Sequence, residues 1–515
     1  MSILQEYNGR DTIATYQLWE VFQNLLESDP FASQAYAESM ALHNPVLYMM
    51  LRGILVDEEV LASLRDQFTR ECLELEACLD RLTKPLLGCV INMTSNDQLS
   101  WMFSCLGVET ESTDTEHLEG IANGNPDLSI FCRIILHWRD RNTMLTRVLV
   151  PGLVDADHRM RTTYKIGGTV TRRLSSSKNC LWTGMNLQNV KRDQDETKSG
   201  HASIRSIFVA DPGYRFLNID LERADSWAVG LEVYQTCGDP SYLDACASAD
   251  LHTYVCKLIW PDLGWTGDPR EDKEIASGFF YRQYDYRFMA KKGGHGSNYL
   301  GKPWTLARQM KIPTARAISF QEAYFEAFPG IPQWHAAKAK ELQTTACLTN
   351  LCGIRRRFHD RLDSDATIRE AIAYLGQSVT STVINRGFIR LWDLVCRRPD
   401  LGIEPLGQVH DSALIQIPET TFQEALPLIL ESLTIPLVAK SPTGEIRTYT
   451  IPLEVAVGWN WSGLQKDKTG KVYNPDGLIK LKEGQRDDRR RIKTPRTPGL
   501  KFMDRRISGL HRRAS

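Results

Sequence analysis

The stretch RFMAKKGGHGSNYLG, residues 287–301, decides how the rest of the chain is interpreted. Four of its side chains recur at four-residue spacing: Arg287, Lys291, His295 and Tyr299. On a helix each step of four advances about 40° beyond a full turn, so these side chains spread over roughly a third of the circumference. Two cations followed by two rings suit a triphosphate followed by a sugar and a base. The same spacing also suits an ordinary exposed amphipathic helix.

Gly293 and Gly294 interrupt the other positions of this helix. Each glycine costs about 1 kcal/mol relative to alanine inside a helix. We therefore predict that the helix bends here or that another group approaches its backbone.

The composition is that of an ordinary soluble protein of 515 residues, long enough for two to four lobes. No apolar run reaches the length of a membrane span, and the N-terminus carries no secretory signal. The twelve cysteines are scattered without a CxxC pair, which argues against a zinc site or a disulfide framework. We predict a cytoplasmic protein that does not enter a membrane.

Charge is distributed unevenly along the chain. Residues 463–515 contain 16 Lys and Arg and 6 Asp and Glu, a balance of +10, which leaves −11 for the remainder of a chain with net charge −1. A basic tail on an acidic body predicts contact with a polyanion, or a solvated C-terminal segment.

Two aspartates stand at the ends of predicted strands. The strand YRFLNID ends at Asp220, and residues 404–417 (EPLGQVHDSALIQI) read as two strands around a tight turn at His410-Asp411-Ser412. Each aspartate alone is typical of helix capping or turn chemistry. If their strands are neighbours in one antiparallel sheet, the carboxylates can share two divalent ions about 3.5–4 Å apart. With Arg287 and Lys291 to neutralise charge, the residues together suit attack of a polynucleotide 3′-hydroxyl on a nucleoside triphosphate.

Further polar residues have the chemistry of phosphate and sugar contacts. His252 follows Asp250 at a predicted helix start, where backbone N–H groups favour an anion. Others lie in the irregular stretch 156–190 or share a face of the predicted helix 368–383: Arg173, Asn186, Gln188, Asn189, Arg369 and Gln377. Surface loops, capping and solvent-facing positions explain the same residues equally well.

Three of these segments resemble, in order, the polymerase motifs of the family A DNA polymerases: FLNIDLERAD, RFMAKKGGHGSNYLG and QVHDSALI. TSNDQLSWMFSCLGVE resembles the thumb segment of that family, and TVTRRLSSS with NLQN resembles its primer-template segment. The resemblance covers about residues 1–461. It implies an α+β right-hand polymerase fold, with an antiparallel-sheet palm, helical fingers and a helical thumb.

The resemblance also implies a domain order. Its parts are a remnant of the C-terminal end of a 3′–5′ exonuclease domain (1–40), the thumb (41–155), the first part of the palm (156–239), the fingers (240–345), the second part of the palm (346–462) and a basic tail (463–515).

The resemblance assigns roles to individual residues. Asp220, Asp411 and the Leu221 carbonyl would bind two Mg²⁺ ions, which Mn²⁺ could replace, and Lys291 would also be the general acid. The nucleotide would contact Arg287, Lys291, His295, Tyr299, His252 and Asp225. The DNA would contact Arg173, Asn186, Gln188, Asn189, Arg369, Gln377 and His410.

The chain departs from the family pattern at several of these sites. His295 stands where the family usually has an aromatic residue, and Asp225 stands where it usually has glutamate, which puts sugar discrimination in question. Arg172 and Leu300 replace glycines, Ser412 replaces a glutamate, and Ala373 replaces an asparagine.

The implied function is template-directed DNA polymerisation in replication, with primer-template DNA, dNTPs and replisome proteins as partners, in a bacterium or a phage-infected cell. Two alternatives stay open: a single-subunit RNA polymerase-like enzyme, and an inactive nucleic-acid-binding polymerase fold. Tyr7 and Asp11 resemble the last motif of the proofreading exonuclease, whose other motifs are absent from this sequence. We therefore predict no self-contained proofreading and either a separate exonuclease chain completed by Asp11 or a truncated remnant.

Overall fold

The computed structural model of the chain describes residues 3–179, 183–190, 203–281, 284–464, 472, 474–482, 489 and 491. Over these residues seventeen α-helices follow one another: α1 (Ile3–Ser28), α2 (Pro30–Ala41), α3 (His43–Arg52), α4 (Glu58–Leu87), α5 (Asn96–Cys105), α6 (Thr115–Gly124), α7 (Ser129–Arg147), α8 (Ala224–Cys237), α9 (Ser241–Ala247), α10 (Leu251–Ile259), α11 (Pro269–Ala276), α12 (Tyr286–Asn298), α13 (Pro303–Met310), α14 (Thr314–Ala327), α15 (Gly330–Thr345), α16 (Asp365–Arg397) and α17 (Phe422–Leu433). Of the helices described, none has the length and apolar character needed to cross a membrane.

The strands are shorter than the helices. In chain order they are β1 (Ile54–Val56), β2 (Arg159–Met160), β3 (Thr163–Lys165), β4 (Ser175–Ser177), β5 (Phe208–Val209), β6 (Tyr214–Leu221), β7 (Phe279–Tyr281), β8 (Tyr284–Asp285), β9 (Cys347–Thr349), β10 (Arg355–Arg357), β11 (Glu404–Val409), β12 (Ser412–Pro418), β13 (Pro436–Lys440), β14 (Ile446–Thr450), β15 (Leu453–Gly458) and β16 (Ile479–Leu481). Helices together with antiparallel strand pairs confirm the predicted α+β class.

The chain divides into two compact units. The large unit contains residues 1–53, 161–189 and 217–456, and the small unit contains residues 54–160, 190–216 and 457–515, as far as these are described.

A sheet with the strand order β11, β12, β6, β15 positions the predicted aspartates. β11 and β12 form an antiparallel hairpin in which Val409 pairs with Ser412, so the turn consists of His410 and Asp411 alone. His410 has φ +57°, a left-handed conformation of the kind that two-residue hairpin turns use. The predicted strands and their tight turn are confirmed.

Helices complete the large unit around this sheet. α8 follows β6 after two residues and packs against α16. α16 extends well beyond the predicted helix 368–383 in both directions, because the buried apolar pattern continues through Phe388, Leu391 and Leu394.

The small unit has its own apolar core. α4 to α7 bury side chains such as Leu79, Phe103 and Ile135 against one another. Ser95 caps α5 by accepting a hydrogen bond from the Gln98 N–H. Most of the predicted basic tail lies outside the described residues.

Candidate active site

The backbones that carry Asp220 and Asp411 lie side by side. Asp220 is the second-last residue of β6, and Asp411 is the second residue of the β11–β12 turn. The N–H of Leu221 donates a hydrogen bond to the carbonyl oxygen of Asp411 at 3.2 Å. Both aspartates are half-buried. The structure therefore places on neighbouring backbones two aspartates that are 191 residues apart in the sequence.

The donor set suits a hard cation that keeps other ligands. Over the described residues no three His, Cys, Asp or Glu side chains are grouped for metal binding, so this site offers two carboxylates and backbone carbonyls. Mg²⁺ prefers one or two carboxylates together with water and substrate phosphate oxygens. The residues present therefore fit Mg²⁺ better than a metal that requires a closed protein cage.

Buried polar groups hold the turn that carries Asp411. The Gln408 side chain is buried, and its amide donates to the His410 carbonyl at 3.3 Å and to Asn385 Oδ1 at 3.4 Å. The hydroxyl of Tyr164 bonds the backbone of Gln408, and burial raises the pKa of that hydroxyl. Ser412, which replaces the usual glutamate, donates its hydroxyl to the Val409 carbonyl at 2.9 Å. These contacts fix the turn from the protein side.

Gln188 and Asn186, two of the predicted DNA contacts, also bond within the protein near the turn that carries Asp411. Gln188 donates to the Leu174 carbonyl at 2.8 Å and to the Gln408 carbonyl at 3.4 Å. Asn186 accepts hydrogen bonds from Ser176 and from the Gln188 N–H. These amides therefore brace the protein. Asn189 is exposed, as is His410.

The first cation of α12 is held by a carboxylate. Arg287 donates from Nε to Asp250 Oδ2 at 2.8 Å and from Nη2 to Asp250 Oδ1 at 3.2 Å. Asp250 also caps α10 by accepting from the His252 N–H, as the sequence predicted. Burial and the nearby Arg287 cation lower the pKa of His252 to about 4, so this imidazole is neutral near pH 7. Lys291 is exposed one turn further along α12.

Gly293 and Gly294 admit a neighbouring helix. A Cβ atom at Gly293 would lie 2.3 Å from Phe320 Cε1, and one at Gly294 would lie 3.2 Å from Tyr324 Cε2. Both aromatic residues belong to α14. The prediction that a group approaches this backbone is confirmed, but the group is a packed helix.

The rings at the end of α12 lie beside an acidic side chain. His295 and Tyr299 meet edge to face, with ring centroids 5.0 Å apart. Asp225 Oδ1 accepts a hydrogen bond from the Thr380 hydroxyl at 3.0 Å and lies 3.7 Å from Arg173 Nη2. Burial, and after it the Asp225 charge, raises the pKa of Tyr299 well above its usual range. The structure thus gathers four predicted residues, and it adds Thr380, which the sequence did not reveal.

A cavity of about 450 Å³ adjoins these rings. Gln377 lines it together with His295 and Tyr299, whereas Arg369 on the same helix lies 3.8 Å from Asp365 instead. Its other walls include an unpredicted pair, Tyr284 and Phe288, whose rings stack 4.9 Å apart. Phe288 and Lys292 lie four residues apart on α12, and this spacing was a signal for a second face of the helix, which Tyr284 of β8 extends.

Comparison with known proteins identifies the fold family. A statistical description of DNA polymerase family A matches residues 58–462, about four fifths of the chain. The chain belongs to DNA polymerase family A. Enzymes of this family are generally metal dependent.

Several curated relatives of this family A chain are bacterial. It is 26% identical over 442 residues to a thermostable DNA polymerase I of Thermus filiformis, covering 83% of this chain and 48% of that protein. It is 27% identical over 432 residues to DNA polymerase I of Mycobacterium bovis, covering 80% and 42%. The chain thus spans less than half the length of these relatives.

A solved structure shares the fold. It is the polymerase domain of Pol1 from M. smegmatis in complex with a DNA primer-template and dNTP, with a TM-score of 0.63 and 22% identity. The similarity covers 82% of this chain and 70% of the other. It confirms the predicted polymerase fold.

The structure shows the backbone conformation at Arg172 and Leu300, the two residues that replace glycines of the family pattern. Arg172 has φ +62° and Leu300 has φ +57°, a backbone conformation that glycine adopts at little cost. Arg172 offsets this cost through its guanidinium, which contacts Glu38 at 3.2 Å, the Ala35 carbonyl at 3.1 Å and Ser39 Oγ at 3.1 Å. Both residues therefore hold a backbone conformation that glycine adopts more easily.

Tyr7 and Asp11 lie one turn apart within α1, which begins at Ile3. No residue of α1 is buried, and Tyr7 is 61% exposed. Their exonuclease-like role stays a prediction.

Proposed function

We propose that the chain is a template-directed DNA polymerase that adds deoxynucleotides to a primer 3′-hydroxyl and releases pyrophosphate. The observation that carries this proposal is the placement of Asp220 beside Asp411, fixed by the hydrogen bond from Leu221 to Asp411. A pair of strand-borne carboxylates at an accessible sheet end is the arrangement that in-line phosphoryl transfer needs.

Asp220, Asp411 and the Leu221 carbonyl would hold Mg²⁺, in two ions as the family resemblance implies, with Mn²⁺ as a substitute. The bound metal would make the 3′-hydroxyl easier to deprotonate and would neutralise phosphate charge. The chain's own task is to present both carboxylates ionised and rigid. The buried Gln408 and the Tyr164 hydroxyl supply that rigidity.

The triphosphate would approach α12 at its N-terminal half. Lys291 is exposed there and would donate a proton to the leaving pyrophosphate. Arg287 is pre-oriented by Asp250, so it would reach a phosphate without a large search of side-chain conformations. His252 contributes a hydrogen bond rather than a charge while its pKa stays low.

The DNA would be held by residues around the same sheet. Arg173, Arg369 and Gln377 would face the duplex, and the exposed His410 would lie at the primer terminus. The helices of the small unit, within the predicted thumb at 41–155, would grip the duplex, and α9 to α15 would form the fingers. We place the protein in the cytoplasm on this function.

Primer extension tests the proposal. On a DNA template with Mg²⁺ and dNTPs, the wild type is expected to extend the primer, and Asp411→Asn is expected to lose at least about 10³-fold in rate. Asp244→Asn is the matched control, because Asp244 is an exposed acid that pairs only with Arg447 among the described contacts. Equal extension by all three proteins would refute the assignment of Asp411.

Asp225 has a shorter side chain than the glutamate usual in the family, which favours the RNA polymerase-like alternative. Parallel reactions with rNTPs separate a DNA polymerase from an RNA polymerase-like enzyme, because only the latter would use rNTPs as efficiently. No extension with either sugar would support an inactive binding protein.

A further inference from the structure

Thr380 is almost fully buried in α16, one turn after Gly376, which lies against the Tyr299 ring. Its hydroxyl lies 3.0 Å from Asp225 Oδ1 and 3.3 Å from the Gly376 carbonyl. A hydroxyl has one proton to donate, and the nearer, charged acceptor forms the stronger bond. The hydroxyl therefore bonds principally to Asp225, which lies 155 residues away in the sequence.

Asp225 is bonded to α16 through Thr380, and its charge lies close enough to Tyr299 to raise the pKa of that residue after the larger effect of burial. Over the described residues the buried Tyr299 hydroxyl has no hydrogen-bond partner. The ring rests on Gly376, where a Cβ atom would lie 2.6 Å from the Tyr299 hydroxyl oxygen. A buried hydroxyl without a partner is costly, typically by 1–3 kcal/mol, unless a ligand group satisfies it.

We propose that Thr380 is a positioning residue for Asp225, and that their hydrogen bond sets how strongly the enzyme discriminates between deoxyribose and ribose in the incoming nucleotide. This inference rests on the proposed polymerase function. The carboxylate held by Thr380 lies beside Tyr299, where the sugar of a nucleotide on α12 would lie. A 2′-hydroxyl would have to displace the carboxylate, and Thr380 opposes that displacement.

Two interactions hold the Asp225 carboxylate in place, and they differ in strength. Arg173 is 3.7 Å from Asp225 Oδ1, and both side chains are about 30% exposed, so this ion pair is weak. The bond from Thr380 is shorter and buried. Removing the hydroxyl should therefore free Asp225 to move aside for ribose, while deoxyribose, which needs no displacement, is affected little.

The experiment measures kcat/KM for a dNTP and the matching rNTP on primer-template DNA. For Thr380→Val the dNTP-to-rNTP ratio is expected to fall about tenfold, mainly through a lower KM for the rNTP, with dNTP incorporation changed about threefold or less. Thr380→Ser keeps the hydroxyl and should retain the ratio. Thr382→Val is the control, because Thr382 is an equally buried hydroxyl of α16 that bonds only the Ser378 carbonyl among the described contacts.

Dissociation constants of the two nucleotides in the ternary complex give a second readout that does not need turnover. An unchanged ratio in Thr380→Val, or an equal loss for both sugars, would overturn the positioning role. Failure of Thr380→Ser to retain the ratio would do the same. Absence of extension by the wild type would instead refute the proposed function, whatever the binding ratio shows.

Discussion

Glu232 on α8 is a fully buried carboxyl group that is only partly satisfied. Its Oε1 accepts a hydrogen bond from the Leu351 N–H at 2.7 Å, but Oε2 has no hydrogen-bond partner over the described residues. Burial raises the pKa of Glu232 to about 7, against the opposing effects of Lys338 and the Leu351 N–H. The nearby Lys338 ammonium donates to Glu341 at 2.9 Å.

The direction of the pH effect follows from this pKa. Between the ordinary value of 4.5 and the folded value of about 7, the folded protein keeps a proton that the unfolded chain has lost. The free energy of unfolding should therefore fall as pH rises through this window and then level off. At about 1.4 kcal/mol per pH unit, the full loss is about 3 kcal/mol.

Glu232→Gln removes the titration and keeps an oxygen to accept from Leu351. We expect this variant to match the wild type near pH 4 and to be about 3 kcal/mol more stable at pH 8. Urea unfolding followed by tryptophan fluorescence between pH 4 and 8 measures the difference. Glu322→Gln is the control, because Glu322 is an exposed acid on α14 that does not contribute to the pKa shift of Glu232. Parallel stability curves for Glu232→Gln and the wild type would refute the reasoning.

Three further outcomes are expected. Gly293→Ala should destabilise by about 1–3 kcal/mol because its methyl group would meet Phe320, whereas Gly296→Ala, with open space around it, should not lower the melting temperature. Arg172→Gly should destabilise the protein by about 1–2 kcal/mol because Glu38 loses a partner, although glycine relieves the strain of the left-handed backbone. Thermal unfolding measures the stability of the Gly293 and Arg172 variants. A triphosphate should raise the pKa of His252 from about 4, so dNTP affinity in titrations should increase as pH falls from 8 to 6, and His252→Gln should abolish that increase.

The sequence allowed the positions of Asp220 and Asp411 to be predicted because their signals are local. Short runs of alternating residues predict the strand that ends at Asp220 and the two strands on either side of the turn at Asp411. The family resemblance then supplied the pairing, which the Leu221 to Asp411 bond bears out at the backbone. Local chemistry fixes a turn whatever surrounds it, so such elements can be derived without knowledge of the tertiary structure.

The partners of buried polar groups could not be predicted in the same way. Thr380 and Asp225 are 155 residues apart, and Glu232 and Leu351 are 119 apart, with no periodic pattern that links either pair. The role of Gly293 depended likewise on where Phe320 of α14 would lie. These contacts are decided by which helices pack together, and that choice is made by many weak apolar interactions rather than by a motif.

Arg172 and Leu300 show how far the tertiary structure can override a local rule. A left-handed conformation costs a residue with a Cβ atom roughly 1–2 kcal/mol, and both positions usually hold glycine in the family. Arg172 donates three hydrogen bonds to residues of α2. A hydrogen bond to a neutral acceptor contributes about 0.5–1.5 kcal/mol and one to a charged acceptor contributes more, so together they are enough to offset that cost. Leu300 closes the turn after Tyr299, where the Gly301 N–H bonds the Gly296 carbonyl at 2.7 Å. The backbone at the C-terminal end of α12 is therefore imposed by its hydrogen bonds, and Leu300 adapts to it.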